Sequence, residues 1–174
     1  MKRPHSDCFP AALRYPASMA LARILVDGYS LLHNWPQLAP GKPRHSVEAR
    51  EELVRRLTLY QDAIGTPITI VFDGSGPRGG KTVITPTPEM EVLYSRAGQT
   101  ADDIIERVAV RLQPFGEVLA VTDDYAERDT VFFHGGMASS CLNFIEDVEN
   151  VLRQQEKDIA RHNRTERLRF KTAR

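Results

Sequence analysis

The sequence predicts an α/β fold, with helices on both faces of a central, mostly parallel sheet. Three short segments with strand character, 23–27, 68–72 and 118–122, are separated by longer amphipathic segments. In the first, Ile24 to Val26 is apolar without alternation, which is typical of a strand buried on both faces. Strand–helix–strand connections are right-handed and make the strands parallel, so we expect their carboxyl ends at one edge of the sheet.

The segments between the strands begin and end with residues typical of helix termini. Ser46 is a candidate N-cap for a helix to about Ile64, and Gly65 is the expected residue after its end. Thr100 and Asp103 have the spacing of a reciprocal cap at the start of a second helix. The remaining assignments are a short strand over 91–94, a helix end near Pro114, a strand at Phe132 and Phe133, and a long final helix from about Ser139.

Length and charge indicate one domain with a basic end. The chain has 174 residues and zero formal net charge, so the whole molecule lacks the signature of a polyanion-binding protein. The segment 151–174 nevertheless contains eight Lys or Arg and three acidic residues, a net charge of +5. We expect a disordered N-terminal extension over 1–18, a domain over 19–153, and a basic helical tail over 154–174.

Cysteine usage and hydropathy favour a cytoplasmic protein. Cys8 and Cys141 are far apart and form no CxxC motif, which fits a reducing compartment rather than a disulfide framework or a zinc site. The first 18 residues lack the apolar core of a secretory signal. No apolar run approaches the about 20 residues that cross a membrane, so we expect no membrane partner.

The loop after the second strand resembles two nucleotide-binding motifs, but its context favours neither. Residues 74–79 fit G-x-G-x-x-G, and residues 80–82 resemble the end of a P-loop. Both motifs require a helix that starts in the loop, whereas residues 83–88 read as a strand or an extended segment. We interpret the segment as a surface loop whose Arg78 and Lys81 are candidates for phosphate contacts.

Acidic side chains follow each of the three predicted parallel strands. Asp27 ends the first strand, Asp73 follows the second, Asp123 and Asp124 follow the third, and Asp102 opens a helix. Carboxylates that meet at one edge repel each other unless a cation neutralises them, and hard divalent ions such as Mg²⁺ or Mn²⁺ prefer oxygen ligands. Each acid also has a local explanation as a helix cap or turn residue, and this alternative stays open.

Five motifs in this order give the chain a recognisable pattern. Together they resemble the YacP-type NYN-domain family of PIN-like nucleases, which includes a ribosome-associated bacterial endoribonuclease. The resemblance covers about residues 22–160 and implies a PIN-like three-layer α/β/α fold. The motifs are Ile24-Leu25-Val26-Asp27-Gly28-Tyr29, Val71-Phe72-Asp73, Gln99-Thr100-Ala101-Asp102, Val121-Thr122-Asp123-Asp124-Tyr125 and Phe132-Phe133-His134-Gly135-Gly136-Met137.

The resemblance implies a metal-dependent endoribonuclease. Asp27, Asp102 and Asp124 match the family's acids and are expected to hold Mg²⁺ or Mn²⁺. Asp73 matches a family position whose role is less defined, Asp123 stands where the family has a smaller residue, and both are further candidate metal ligands. The implied partner is RNA, with the ribosome as a second candidate. The expected nucleic-acid contacts are Ser30, Arg78, Lys81, Arg161 and Arg164.

Two alternatives use the same acidic edge. Ser30 stands where the family usually has asparagine, which leaves open an RNA- or ribosome-binding module that is catalytically weak. The other is a phosphohydrolase that acts on a small phosphate ester, for which the basic tail would be dispensable.

Overall fold

The computed structural model describes residues 21–74, 87–96, 98–124, 129, 131 and 136–172, with side chains as far as Arg167. The strands are β1 (Leu21–Asp27), β2 (Ile68–Phe72), β3 (Met90–Tyr94), β4 (Glu117–Val121) and β5 (Met137–Ser139). The helices are α1 (Gly28–Asn34), α2 (Val47–Ile64), α3 (Ala101–Leu112) and α4 (Cys141–Thr172), with a 3₁₀ turn at Gln113–Phe115.

The five strands form one sheet of order β3-β2-β1-β4-β5, and every neighbouring pair is parallel. β1 lies at the centre, so it is paired on both sides and covered on both faces. The predicted α/β class and the parallel sheet are therefore confirmed, and the carboxyl ends of all five strands lie at one edge.

Alternate residues of β1 contribute to different helical layers. Ile24 and Val26 pack into a core formed with α1, α2 and α4, whereas Leu25 packs with Ile105 and other residues of α3 on the opposite face. All three β1 residues are essentially inaccessible to solvent. This two-sided burial explains the unbroken apolar run, and the three-layer α/β/α arrangement with a long C-terminal helix is confirmed.

The predicted helix termini are present. Ser46 Oγ accepts a hydrogen bond from the Ala49 amide at 3.1 Å, at the start of α2. Gly65 ends α2 with φ of 73°, a left-handed conformation that glycine adopts without strain. Thr100 and Asp103 form the reciprocal capping box that starts α3.

The end of the sheet differs from the prediction. Residues Met137–Ser139 form β5, and the last helix begins at Cys141 rather than Ser139. A three-residue strand is too short to show a hydrophobic period, and this one is defined by its pairing with Leu119–Val121. The strand predicted at Phe132 and Phe133 lies outside the described residues.

The predicted boundary between the domain and the basic tail falls inside one continuous helix. α4 passes through the expected boundary at residues 153 and 154 without a break, so the division into a domain and a tail stays a prediction. Residues 1–18 lie outside the described part of the chain.

Among the described helices, none combines the length and apolar character needed to cross a membrane. Cys141 is buried.

Candidate functional site at the carboxyl edge of the sheet

Asp27 joins the end of β1 to the start of α1. Its Oδ1 accepts hydrogen bonds from the amides of Tyr29 at 3.0 Å and Ser30 at 3.1 Å, and its Oδ2 accepts one from Ser30 Oγ at 2.6 Å. Asp27 is thus the N-cap of α1, the local role anticipated as an alternative. A carboxylate has about four lone-pair sites, so this role leaves acceptor capacity on Asp27.

The residue after Asp27 must be small. A Cβ atom on Gly28 would lie 2.3 Å from Cε1 of Phe72, at the end of the neighbouring strand β2. The ring of Phe72 is fully buried and cannot easily move. The close approach of α1 to β2 therefore depends on glycine, and it places Asp27 beside the end of β2.

Asp73 holds the start of α3 at the same edge. Its Oδ1 accepts hydrogen bonds from the Ala101 amide at 2.6 Å and from Ser95 Oγ at 3.1 Å. Ser95 is 5 % exposed and also accepts a hydrogen bond from the Gly74 amide at 2.9 Å. A negative charge at a helix N-terminus is favourable, and this contact places Asp102, the next residue of α3, at the carboxyl edge.

Asp102 is half-buried and is influenced by the other acids. Burial raises its pKa, and the negative charges of Asp27, Asp124, Asp73 and Asp103 raise it further, in that order. The first three of these come from different strand ends, distant along the chain. Acids from three separate segments therefore lie near enough to Asp102 for their charges to act on its carboxyl group.

Asp123 and Asp124 follow β4 but have different surroundings. Asp123 Oδ1 accepts a hydrogen bond from the Cys141 amide at 2.9 Å, and its Oδ2 accepts one from Asn34 Nδ2 at 2.8 Å. Asp124 is exposed, and its backbone amide donates a hydrogen bond to Oγ1 of the buried Thr122 at 3.1 Å. Asp123 therefore joins α1 to the start of α4, whereas the Asp124 charge acts on Asp102.

The donor set suits a hard cation, but the side chains do not form a closed metal cage. Carboxylate oxygens are the ligands that Mg²⁺ and Mn²⁺ prefer. Burial, and after it the charges of the neighbouring acids, raises the pKa of Asp102. Within the described residues, no group of three His, Cys, Asp or Glu side chains is already arranged to hold an ion. The acids share one edge without being preassembled around one point.

The predicted nucleic-acid contacts that the structure describes, Ser30, Arg161 and Arg164, lie apart from one another. Ser30 lies at the site and hydrogen-bonds Asp27, and Arg78 and Lys81 lie outside the described residues. Arg161 and Arg164 are on the distal half of α4, which starts at the carboxyl edge and runs away from it. Arg161 is about 30 Å along the helix from Cys141, because each of the 20 intervening steps adds about 1.5 Å.

A basic and aromatic group beside Asp27 was missed by the sequence reasoning. Arg50 Nη1 donates a hydrogen bond to the Tyr29 hydroxyl at 3.0 Å, and the rings of Tyr29 and His45 lie 4.6 Å apart. Asn34, which bonds Asp123, was missed as well. Tyr29 stands in the Asp-Gly-Tyr-Ser motif and offered a local signal, whereas the contacts with His45 and Arg50 depend on the fold.

Comparisons with known proteins agree with the fold. Residues 24–173 match the YacP-like NYN domain. The chain is 31 % identical over 137 residues to the uncharacterized protein YacP of Bacillus subtilis strain 168, covering 78 % of this chain and 80 % of the relative.

Two solved structures of Rae1 (YacP) from Bacillus subtilis are also similar. A tryptophan-to-leucine mutant is 27 % identical with a TM-score of 0.67, over 82 % of this chain and 84 % of the other. The second structure is 26 % identical with a TM-score of 0.66, over 82 % of each chain. The chain therefore belongs to the YacP-like NYN domain family and has a PIN-like nuclease domain.

Proposed function

We propose that the protein is a divalent-metal-dependent endoribonuclease that hydrolyses RNA phosphodiester bonds at the carboxyl edge of the sheet. The family supports a hydrolase that acts on nucleic acids. The observation that carries the finer assignment is the position of Asp102: the Asp73 contact places it at the edge where β1, β2 and β4 end in acids, and burial and those charges raise its pKa. Such a concentration of negative charge is expected where a cation binds.

Asp27, Asp102 and Asp124 are the proposed metal ligands. Asp27 is held in one orientation by two amides and the Ser30 hydroxyl, and Asp102 is positioned through the contact of Asp73 with the start of α3. Asp123 links Asn34 at the end of α1 to the start of α4, and its charge is not among those that raise the pKa of Asp102, so we assign it a positioning role. When bound, Mg²⁺ or Mn²⁺ supplies a water of lowered pKa and neutralises charge on the scissile phosphate.

The expected products have 5′-phosphate and 3′-hydroxyl ends. Water attack at phosphorus leaves the bridging phosphate on the downstream fragment when the 3′ oxygen departs. The acids repel an RNA strand unless cations offset their charge, so positive side chains must hold the phosphates on either side. Arg78 and Lys81 are the candidates from the loop after β2.

The distal basic residues of α4 have a separate proposed role. Arg161 and Arg164 are exposed, and their distance from the acidic edge excludes contact with the scissile phosphate. We propose that they bind a more distant part of a long RNA or ribosomal RNA. Arg161 also forms a weak ion pair with Asp158 at 3.8 Å, which an RNA phosphate would compete with.

A cleavage assay with matched charge variants tests the proposal. Wild type, Asp27→Asn, Asp102→Asn and the control Asp62→Asn are incubated with a labelled RNA in Mn²⁺ or EDTA. Asp62 is an exposed acid in the last turn of α2, at the opposite edge of the sheet. We expect wild type and Asp62→Asn to cleave in Mn²⁺ only, and the other two variants to be inactive. Equal cleavage by Asp102→Asn, or cleavage in EDTA, would contradict the metal mechanism.

The second candidate function is an RNA- or ribosome-binding module without turnover. It is favoured by the absence, among the described residues, of a preassembled three-ligand group. Co-sedimentation with ribosomes together with no cleavage in Mg²⁺ or Mn²⁺ would support it. Cleavage that requires both Mn²⁺ and Asp102 would exclude it.

A further inference from the structure

Beside the acidic edge lies a cluster of three residues that the proposed chemistry does not use. Tyr29 is in the first turn of α1, and His45 and Arg50 are at the start of α2. The ring of Tyr29 lies 4.6 Å from that of His45 and 5.1 Å from that of the buried Phe72. We refer to Tyr29, His45 and Arg50 as the Tyr29 subsite.

The cluster is fixed to the catalytic edge through Tyr29. The Tyr29 amide donates to Asp27 Oδ1 at 3.0 Å, and its side chain packs on Phe72, which in turn stacks on Tyr94 at the end of β3. The positions of the aromatic ring and of the Asp27 carboxylate therefore follow from the same turn of helix.

Arg50 has an unusual environment for a half-buried cation. Its Nη1 donates to the Tyr29 hydroxyl at 3.0 Å and to the His45 carbonyl at 3.4 Å. Neither acceptor carries a charge, and no carboxylate among the described residues lies within ion-pair distance of Arg50. By contrast, Arg55 on the same helix is paired with Glu52 at 2.5 Å. A guanidinium that has no counter-charge among the described residues, beside a predicted phosphodiester site, suits a phosphate oxygen.

The aromatic part of the cluster suits a nucleobase. His45 is exposed and Tyr29 is half-buried, and the Tyr29 ring lies between that of His45 and that of the buried Phe72. Single-stranded nucleic acids bind to surfaces that combine a cation for the backbone with aromatic side chains on which bases stack.

We propose that the Tyr29 subsite binds one nucleotide of single-stranded RNA beside the scissile bond, with Arg50 on its phosphate and the His45 ring stacked on its base. Tyr29 positions Arg50 through its hydroxyl and ties the subsite to Asp27. The inference rests on the proposed endoribonuclease function, and it adds the residues that place the strand.

Binding measured without metal tests the subsite separately from cleavage. The fluorescence anisotropy of a short labelled oligouridine is measured in EDTA over a series of salt concentrations. The variants are Arg50→Gln, Arg50→Lys, His45→Ala and the control Arg55→Gln, which also removes one positive charge from α2. Thermal unfolding of each variant verifies that it is folded.

The expected results differ between variants. Arg50→Gln lowers the slope of log affinity against log salt by about 0.7, the value of one single-strand phosphate contact, and Arg50→Lys restores it. His45→Ala weakens binding at least about fivefold, as expected for a lost base stack. Arg55→Gln changes neither quantity. An unchanged salt slope in Arg50→Gln, or no measurable binding by wild type, overturns the subsite.

Cleavage of the same RNA in Mn²⁺ is scored independently. If wild type cleaves while Arg50→Gln keeps the wild-type salt slope, the subsite is wrong and the proposed function stands. If wild type binds through Arg50 but shows no cleavage with any of the metals tested, the subsite stands and the proposed function is wrong.

Discussion

The side-chain amide of Asn34 donates a hydrogen bond to Asp123 Oδ2 at 2.8 Å, and it also donates to the Ser30 carbonyl at 2.8 Å. The first bond joins the last residue of α1 to the loop after β4, across 89 positions of the chain, and the second returns to the first turn of α1. Asp123 in turn receives the Cys141 amide at the start of α4. One asparagine thus connects the turn that holds Asp27 to the loop that holds Asp124.

We expect Asn34→Ala to lower both stability and activity. The change leaves Oδ2 of the half-buried Asp123 without this donor, and a lost hydrogen bond to a charged group costs about 1.5–3 kcal/mol. Urea unfolding measures the free energy, with Asn150→Ala as the control. Asn150 accepts a hydrogen bond from Arg153 on the exposed side of α4, so its removal should cost less than about 0.5 kcal/mol. Equal costs for the two variants would contradict a linking role for Asn34.

Adjacent acids in α3 should respond oppositely to substitution. Asp102 is half-buried among like charges, so Asp102→Asn should raise the melting temperature of the metal-free protein. Asp103 accepts a hydrogen bond from the Thr100 amide at 2.9 Å in the capping box, so Asp103→Ala should lower it. Thermal unfolding in EDTA compares the two variants. A lower melting temperature for Asp102→Asn would show that its carboxylate is not under repulsion.

The effect of Asp102→Asn should depend on pH. Because the pKa of Asp102 is raised in the folded protein, the folded state binds its proton more tightly than the unfolded chain does. This tighter proton binding adds fully to the free energy of unfolding when the pH is below 3.8, the ordinary pKa of an aspartate. The added stability is lost as the pH rises through the raised pKa of Asp102. The stability gained by Asp102→Asn should therefore grow with pH above about 4. A difference that stays constant from acid to neutral pH would contradict this linkage.

Gly28→Ala should destabilise the fold through its contact with Phe72. Alanine favours a helix over glycine by about 1 kcal/mol, but its Cβ would meet the Phe72 ring at 2.3 Å. Overpacking of this kind costs about 1–3 kcal/mol, so we expect a net loss in urea unfolding. The cost should fall when Phe72→Leu is present, because the smaller side chain relieves the clash. If the effects of Gly28→Ala and Phe72→Leu on the free energy of unfolding are additive, the clash with the Phe72 ring is not the cause of the loss.

Charge reversal in the distal part of α4 should separate long from short substrates. We expect Arg161→Glu combined with Arg164→Glu to weaken cleavage of long RNA and to reduce its salt dependence. Cleavage of a short oligonucleotide should be unchanged, because α4 carries these residues about 30 Å from its start at the acidic edge. Parallel kinetics on the two substrates provide the measurement. An equal loss of cleavage on both substrates would contradict this, because it would mean that Arg161 and Arg164 act near the scissile bond.

The parts of the fold that were predicted correctly have local signals. Ser46, Gly65 and Thr100 fill helix-end positions whose requirements lie within a few residues. The buried character of β1 is visible in its own apolar run, and parallel pairing then dictates that its aspartate shares an edge with those of other strands.

The parts that were missed depend on contacts between distant segments. β5 has only Met137–Ser139, and its strand geometry comes from pairing with β4. The hydrogen bond from Asn34 to Asp123 depends on the fold, because the two residues are 89 positions apart in the sequence. Arg50 reads as an ordinary charge on an amphipathic helix, and only the fold places it against Tyr29. Whether Asp27, Asp102 and Asp124 hold an ion stays a prediction.

The most direct measurement is a crystal structure of the protein soaked with Mn²⁺, with anomalous scattering recorded to locate the ion. We expect an anomalous peak at the carboxyl edge of the sheet, within direct ligand distance of oxygens from Asp27, Asp102 and Asp124. A saturating soak that leaves this edge without a peak, or that places Mn²⁺ only on other side chains, would contradict the shared metal site.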